Sequence, residues 1–578
     1  MDRPITPEDR DAAVGAALGL RPFDWLITGA SVADVATGEV RAADIGLSGP
    51  LIASVHPPGT RTDAKHMCEA GGALIAPGLI DSHMHIESSM VTPETYAATV
   101  LPRGVTTVVW DPHELANVAG TEGMAYAHAA ADATALRALV QVPSCVPSAP
   151  GFERAGADFD AEIIAPLLAE APAGLAEVMD MAAVTARSPR MRAILAAAEA
   201  AGRPISGHAR GLSGAELQAY AAAGIGSDHE ITSAEDLLEK LRAGLWVELR
   251  GSHPHLLPEC IEALRALPEI PPTLTLATDD VFPDELHEVG GLDAQLRRVV
   301  ELGLPPMAAL RAATLAPARR LGRADLGLVA PGKRADLVIF DGLETLCAQT
   351  VFVDGKPPRP QPPAPPPEAL ARSMHVAPLT SEDFVLHAQG PDLRLATIDK
   401  PRFTAWGEVR AEVECGRVSL PAGGTWIAVL HRHGAQDTAR IGVLTGWGAW
   451  RGAFATTVSH DSHNLTVFGS NPQDMAVAAN ALIGSGGGMA VAAGGAVRAH
   501  LALPIGGLIS PAPLADVAAG FQAVRQAMDA VVDWAPPYLV FKALVGATLA
   551  CNKGPHQTDL GIADPLAGRL LRSPVLSQ

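Results

Sequence analysis

Two histidines, His83 and His85, stand two residues apart at the end of Ala76-Pro-Gly-Leu-Ile-Asp-Ser-His-Met-His, and further donors follow in order: Glu177, His208, His229 and Asp279. In an extended strand, residues i and i+2 face the same side, so one cation can take both imidazoles of the pair. His208 closes Pro204-Ile-Ser-Gly-His, His229 lies in Ser227-Asp-His-Glu, and Asp279 lies in Ala277-Thr-Asp-Asp, each after a short apolar run that reads as a strand. A second divalent cation beside the first needs an anionic bridge to offset their repulsion, and Glu177 in Gly174-Leu-Ala-Glu-Val-Met-Asp is suited to it. Asp180 competes for that role, but strand alternation turns it away from the Glu177 face. Imidazole and carboxylate donors without thiolate are compatible with manganese, iron or zinc. Such a pair acidifies a shared water and so supports hydrolysis near neutral pH.

The elements that must position these donors are legible as eight strand segments, 78–85, 104–111, 136–143, 174–180, 204–210, 224–230, 244–250 and 274–280, most followed by an alanine-rich helical stretch. Eight alternating units predict a (β/α)8 barrel, whose catalytic groups lie at the C-terminal strand ends. Each proposed donor falls at such an end. Glycine-punctuated apolar segments at 23–55 and again around 327–355 read as the two parts of one small β domain into which the barrel is inserted. The predicted α/β organisation is therefore a composite β domain of 1–75 and 316–356, the catalytic barrel 76–315, a proline-rich linker 357–367, and a C-terminal α/β domain 368–578 able to fold independently.

Composition narrows the class of function. A formal charge of −20 opposes nonspecific binding to nucleic acid or an anionic membrane, which requires clustered lysine and arginine. The longest uncharged stretch, 475–497, contains glycines, Asn480 and Ser485, too dilute for a lipid-facing helix; it reads as packed turn and helix. The N-terminus lacks the apolar core of a signal peptide, and the scattered cysteines form no zinc or disulfide pattern, so a cytoplasmic location is expected. Gly484-Ser-Gly-Gly-Gly-Met489 lacks the lysine of a phosphate-binding loop and reads as a flexible turn. Ser459-His-Asp-Ser-His-Asn464 either closes over a neighbouring active site, stabilises a subunit interface, or is a satisfied polar turn.

Longer runs, Pro77-Gly-Leu-Ile-Asp-Ser-His-Met-His-Ile-Glu-Ser-Ser-Met90, Leu101-Pro-Arg-Gly-Val-Thr-Thr-Val-Val-Trp-Asp-Pro-His-Glu114 and Gly446-Trp-Gly-Ala-Trp-Arg-Gly-Ala-Phe-Ala-Thr-Thr-Val-Ser-His-Asp-Ser-His-Asn464, resemble the bacterial adenine deaminases of the amidohydrolase superfamily. The resemblance covers most of the chain. It implies conversion of adenine and water to hypoxanthine and ammonia, in purine salvage or adenine catabolism, by a homo-oligomer with two divalent ions, manganese or iron as the usual metals. By matching positions, His83, His85 and Asp279 would hold one ion, His208 and His229 the other, with Glu177 between them. The absence of a lysine from the strand-four segment agrees with this branch and disfavours branches that bridge with a carboxylated lysine. Asp279 would also relay a proton to the departing ammonia. The ring nitrogen needs a proton donor, for which Glu87, His113 and Glu114 are all candidates. Asp111-Pro-His-Glu114 has three further readings: a network behind the ligands, an additional cation site, or a structural loop. The alternatives for the whole chain are another cyclic amide or amidine hydrolase on the same metals, and a non-catalytic barrel-derived assembly protein.

Overall fold

Eight short strands close into a ring in the computed structural model, which describes residues 3–577 apart from 172, 391, 402, 436–437 and 535–539. Five strands precede the ring: β1 (Phe23–Asp34), β2 (Glu39–Ser48), β3 (Leu51–His56), β4 (Ala64–Glu69) and β5 (Leu74–Pro77). The ring itself is β6 (Leu79–Met84), β7 (Val105–Trp110), β8 (Arg137–Val140), β9 (Leu175–Val178), β10 (Ile205–Gly207), β11 (Ser227–Asp228), β12 (Trp246–Arg250) and β13 (Leu274–Ala277). Parallel ladders join β6 to β7 to β8, β9 to β10, and β11 to β12 to β13. Single links complete the circle: a parallel bridge between Val142 and Leu175, the bond from the Gly226 N–H to the Ile205 carbonyl, and the bridge between Met84 and Asp279. The eight segments read from the sequence are these eight strands, and the barrel is closed.

Local chemistry explains the alternation. The helix Ala161–Glu170 starts where the Asp160 carboxylate accepts from the Glu162 and Ile163 N–H groups, and Pro189–Ala200 starts behind Ser188 with proline in its first turn. Gly207 permits the close approach of neighbouring strands, since a Cβ there would lie 2.4 Å from the Ser227 carbonyl oxygen. Under the barrel, the helix Leu315–Arg320 sends Arg320 inward, where it pairs with Glu248 at 2.8 Å and donates to Ser206 and Ser227. The expected boundary at residue 316 falls within this helix.

The strands β14 (Leu337–Phe340) and β15 (Ala348–Phe352) return to the N-terminal segments, giving one seven-stranded sheet in the order β15-β14-β5-β1-β2-β3, with β4 beside β1. It meets the barrel at strand beginnings. The Gly78 N–H bonds to the Asp336 carbonyl, and Arg137 at the start of β8 reaches Asp336 (3.1 Å) and Asp354 (2.9 Å).

Past the proline-rich segment, where the Ala364 N–H donates to Glu94, a ten-stranded, mostly antiparallel sheet carries the helices Pro472–Ser485 and Leu514–Val531. Two expectations are corrected here. The uncharged stretch 475–497 is only half helix, because Gly488–Ala493 and the start of Ala496–Ala502 pair as strands. The glycine run is not loose either: Gly486 ends the helix at φ 83°, and a Cβ on Gly488 would sit 2.0 Å from the Leu501 carbonyl oxygen. The C-terminal region packs against the barrel. Its apolar residues, Phe521 and Phe541 among them, belong to the same buried cluster as the barrel's Trp110 and Leu286, and Phe282 lies 5.1 Å from Phe521 ring to ring. Among the described residues no helix is long and apolar enough to cross a membrane.

Candidate active site

The Glu177 carboxylate at the end of β9 divides the surrounding imidazoles into two sets. Its Oε1 lies 3.4 Å from His85 Nε2, 3.9 Å from His83 Nε2 and 3.6 Å from His113 Nδ1. Its Oε2 lies 2.5 Å from His208 Nδ1 and 3.3 Å from His229 Nε2. Asp279, just beyond β13, turns Oδ1 towards His83 (3.8 Å) and His85 (3.5 Å). All six residues singled out as donors therefore converge, and all are buried. Asp180 stands apart and caps the helix Met181–Thr185.

Several donors are held from behind. His85 Nδ1 lies 3.0 Å from the Asp111 carbonyl oxygen, so its N–H is used there and the Nε2 lone pair is left for the cluster. The Tyr220 hydroxyl accepts from the His208 N–H and donates to the Val178 carbonyl, tying β9 to β10 beside Glu177. Asp279 Oδ2 accepts from Arg250 (2.9 Å) and Ser252 (2.8 Å), while the same guanidinium grips both Glu230 oxygens at 2.7 Å. The backbone of Asp279 has φ 59°, a left-handed conformation that an aspartate tolerates better than most side chains. Burial opposes ionisation of Asp279, yet Arg250, His85 and His229 hold its carboxyl well below the usual range. Burial likewise opposes the charge of Glu177, and His229 and His208 overcome it.

The donor chemistry fits cations. His83 has neither ring nitrogen hydrogen-bonded, and His208 Nε2 and His229 Nδ1 also lack a protein partner while buried. Ligating atoms of His83, His85 and Asp279 lie within 4.8 Å of one another, as do those of His83, Glu177 and His229. Buried imidazoles and carboxylates without such a partner would carry a heavy desolvation cost.

The other predicted residues form a second layer. Asp111 receives the His113 N–H and lies 3.1 Å from His113 Nδ1, which draws Asp111-Pro-His-Glu114 into a network beside His85, and donor atoms of His85, Asp111, His113 and Glu177 also lie within 4.8 Å of one another, as an additional cation site would require. Burial and the neighbouring Glu114 push the Glu87 carboxyl up to about 8, and the Trp110 indole donates to it. Glu114 accepts from Ser88 and faces His460 Nε2 at 3.4 Å.

A cavity of about 270 Å³ opens above the cluster. The barrel supplies its polar floor, including His113, Asp279, Asp280 and Arg250. The C-terminal region supplies an apolar roof, with Phe454, Met489, Phe541 and Leu544, together with His460 and Asp461. Glu87 and Glu114 do not line it; His113 does. Sequence reasoning missed Glu230, Arg250, Ser252 and Asp280. The available signal was position, since Glu230, Arg250 and Asp280 close predicted strand segments just as the chosen donors do.

A family model described as "Amidohydrolase family" matches residues 74–377, and one described as "Adenine deaminase C-terminal domain" matches residues 401–567. "Adenine deaminase 2" of Rhizobium meliloti is 59% identical over 98% of this chain and 97% of its own length. "Adenine deaminase 2" of Agrobacterium fabrum is 57% identical over 98% and 96%, and "Adenine deaminase" of Klebsiella pneumoniae 53% identical over 96% and 94%.

Proposed function

The chain belongs to the adenine deaminase family of amidohydrolases, and from that membership we propose that it hydrolyses adenine to hypoxanthine and ammonia. The observation that carries the proposal is the near-complete match to relatives of that name. In this reading His83, His85 and Asp279 would hold one divalent ion and His208 and His229 a second, with Glu177 as the shared anionic donor. Manganese or iron is favoured, with zinc compatible. The domain division 1–75 with 316–356, 76–315, 357–367 and 368–578 belongs to the same reading.

When bound, the ions acidify water and make hydroxide available near neutral pH. The side chains do the rest. Asp279 has one oxygen fixed by Arg250 and Ser252, which leaves the other to take the proton from water and pass it to the departing amine. His113 is the member of the acid set that reaches the cavity and serves a ring nitrogen, while Glu87 and Glu114 stand behind it. The apolar roof holds the flat base and excludes bulk water, which strengthens each electrostatic contact beneath it.

The test is spectrophotometric conversion of adenine with stoichiometric ammonia, using protein loaded with manganese or iron, against adenosine and other cyclic substrates. Adenine turnover should exceed that of adenosine by a wide margin. No adenine turnover with either metal, beside robust hydrolysis of another cyclic substrate, would overturn the assignment.

A further inference from the structure

The C-terminal loop that crosses the cavity brings two donors up to His113, in an arrangement that the chemistry above leaves idle. His113 Nδ1 is engaged by the Asp111 carboxylate, 3.1 Å away, so its Nε2 presents a lone pair. His460 Nε2 is turned to the Glu114 carboxylate at 3.4 Å, which leaves the lone pair on its Nδ1. Both free nitrogens face one atom: Asp461 Oδ1 stands 3.7 Å from His113 Nε2 and 3.7 Å from His460 Nδ1. Those gaps are too long for hydrogen bonds. His113 Nε2 and Asp461 Oδ1 are buried with no hydrogen-bond partner, a state that burial penalises.

The spacing is that of donors around a shared ion. Imidazole nitrogen and carboxylate oxygen bind a cation such as zinc at about 2.0–2.2 Å, which sets neighbouring donors of one ion about 3–4 Å apart. The three donor atoms lie within 4.8 Å of one another. Each imidazole is backed by a carboxylate at its other nitrogen, the arrangement that fixes the tautomer and raises the basicity of metal-ligating histidines. The group of His85, Asp111, His113 and Glu177 is equally compact but draws His85 and Glu177 from the paired centre, whereas His113, His460 and Asp461 draw nothing from it. We propose that His113, His460 and Asp461 form a third divalent-cation site, which the barrel and the C-terminal region complete only together. Two imidazoles and one carboxylate suit zinc, manganese or iron. All three residues line the cavity, and three protein ligands leave an open position towards it, as catalytic metal sites do. The site itself stands apart from the choice of substrate; its role rests on adenine being the substrate. An ion here meets a ring nitrogen directly or through a water, so His113 serves that nitrogen through the ion instead of with a proton of its own.

The experiment counts ions in the full-length protein reconstituted with manganese and dialysed against metal-free buffer. Elemental analysis should find three equivalents in the unaltered protein and two in folded Asp461→Ala and His460→Ala. Anomalous diffraction from crystals of the unaltered protein should place the third manganese roughly 2 Å from His113 Nε2, His460 Nδ1 and Asp461 Oδ1, which decides the matter even where neither variant folds. Two equivalents in the unaltered protein, no anomalous peak at these atoms, or a third equivalent kept by both variants would overturn the proposal. Adenine turnover by Asp461→Ala, with its paired ions retained, should fall at least about tenfold. Undiminished turnover would overturn the ion's part at the ring nitrogen. Absence of adenine turnover in the unaltered enzyme would instead overturn the substrate reading, and the ion count would still decide for or against the third site.

Discussion

The seven-stranded sheet and the C-terminal sheet both flank the barrel, but they meet it at opposite ends. The first touches strand beginnings through Gly78, Arg137 and Asp336. The second touches strand ends: the Asn464 amide donates to the Arg154 carbonyl, Asp559 pairs with Arg154 at 2.7 Å, and His460 faces Glu114. In this fold reactive groups gather at strand ends, because the loops there are free to vary while the beginnings are committed to packing. A flanking unit therefore acquires a role in chemistry or in stability according to the end it covers.

Four changes would break or sharpen that contrast. Glu177→Gln should have the largest effect, since it removes the charge between the two imidazole sets. Elemental analysis should find less than two metal equivalents, with turnover at background, and unchanged metal and activity would remove Glu177 from the centre. Asp279→Asn comes next. The folded variant should lose turnover by roughly 10²–10⁴-fold, the usual worth of a general acid–base group, and near-normal activity in folded, metal-loaded protein would exclude it from proton transfer. On the roof, Phe541→Leu should raise KM about tenfold with little change in kcat, as expected when apolar contact is shared by ground and transition states. A drop in kcat alone would mean the roof acts on the reaction itself. At the other end, Arg137→Met should leave kcat and KM of the folded enzyme unaltered while lowering unfolding stability by about 3–5 kcal/mol, because it strands the buried Asp336. Any kinetic defect in folded Arg137→Met protein, followed by circular dichroism and assay together, would erase the distinction between the two ends.

Much of the barrel was legible because its signals are local. Each strand is a short apolar run, and each of His83, His85, Glu177, His208, His229 and Asp279 closes one, so period and punctuation reveal both. Arg250 closes a strand just as clearly, but its value lies in gripping Glu230 and Asp279 from another strand, which no spacing encodes. The same applies to Asp461. Ser459-His-Asp-Ser-His-Asn464 reads equally well as a closing loop or a polar turn until His113, hundreds of positions earlier, is seen beside it. The strands within 475–497 escaped for a different reason: alanine and glycine dominate them, and neither carries the branched or aromatic character that distinguishes a strand from a helix.

Arg320 sets a limit on traffic. With Glu248, Ser206 and Ser227 it forms a sealed, ion-paired floor directly under the imidazoles, and Glu248 lies within 3.9 Å of His229. The cavity is thus closed on this side. Adenine, water, ammonia and hypoxanthine do not cross that floor, and exchange instead between the barrel's upper loops and the C-terminal roof that line the cavity. Turnover then answers to the width and stickiness of that passage as much as to the groups at the cavity's base.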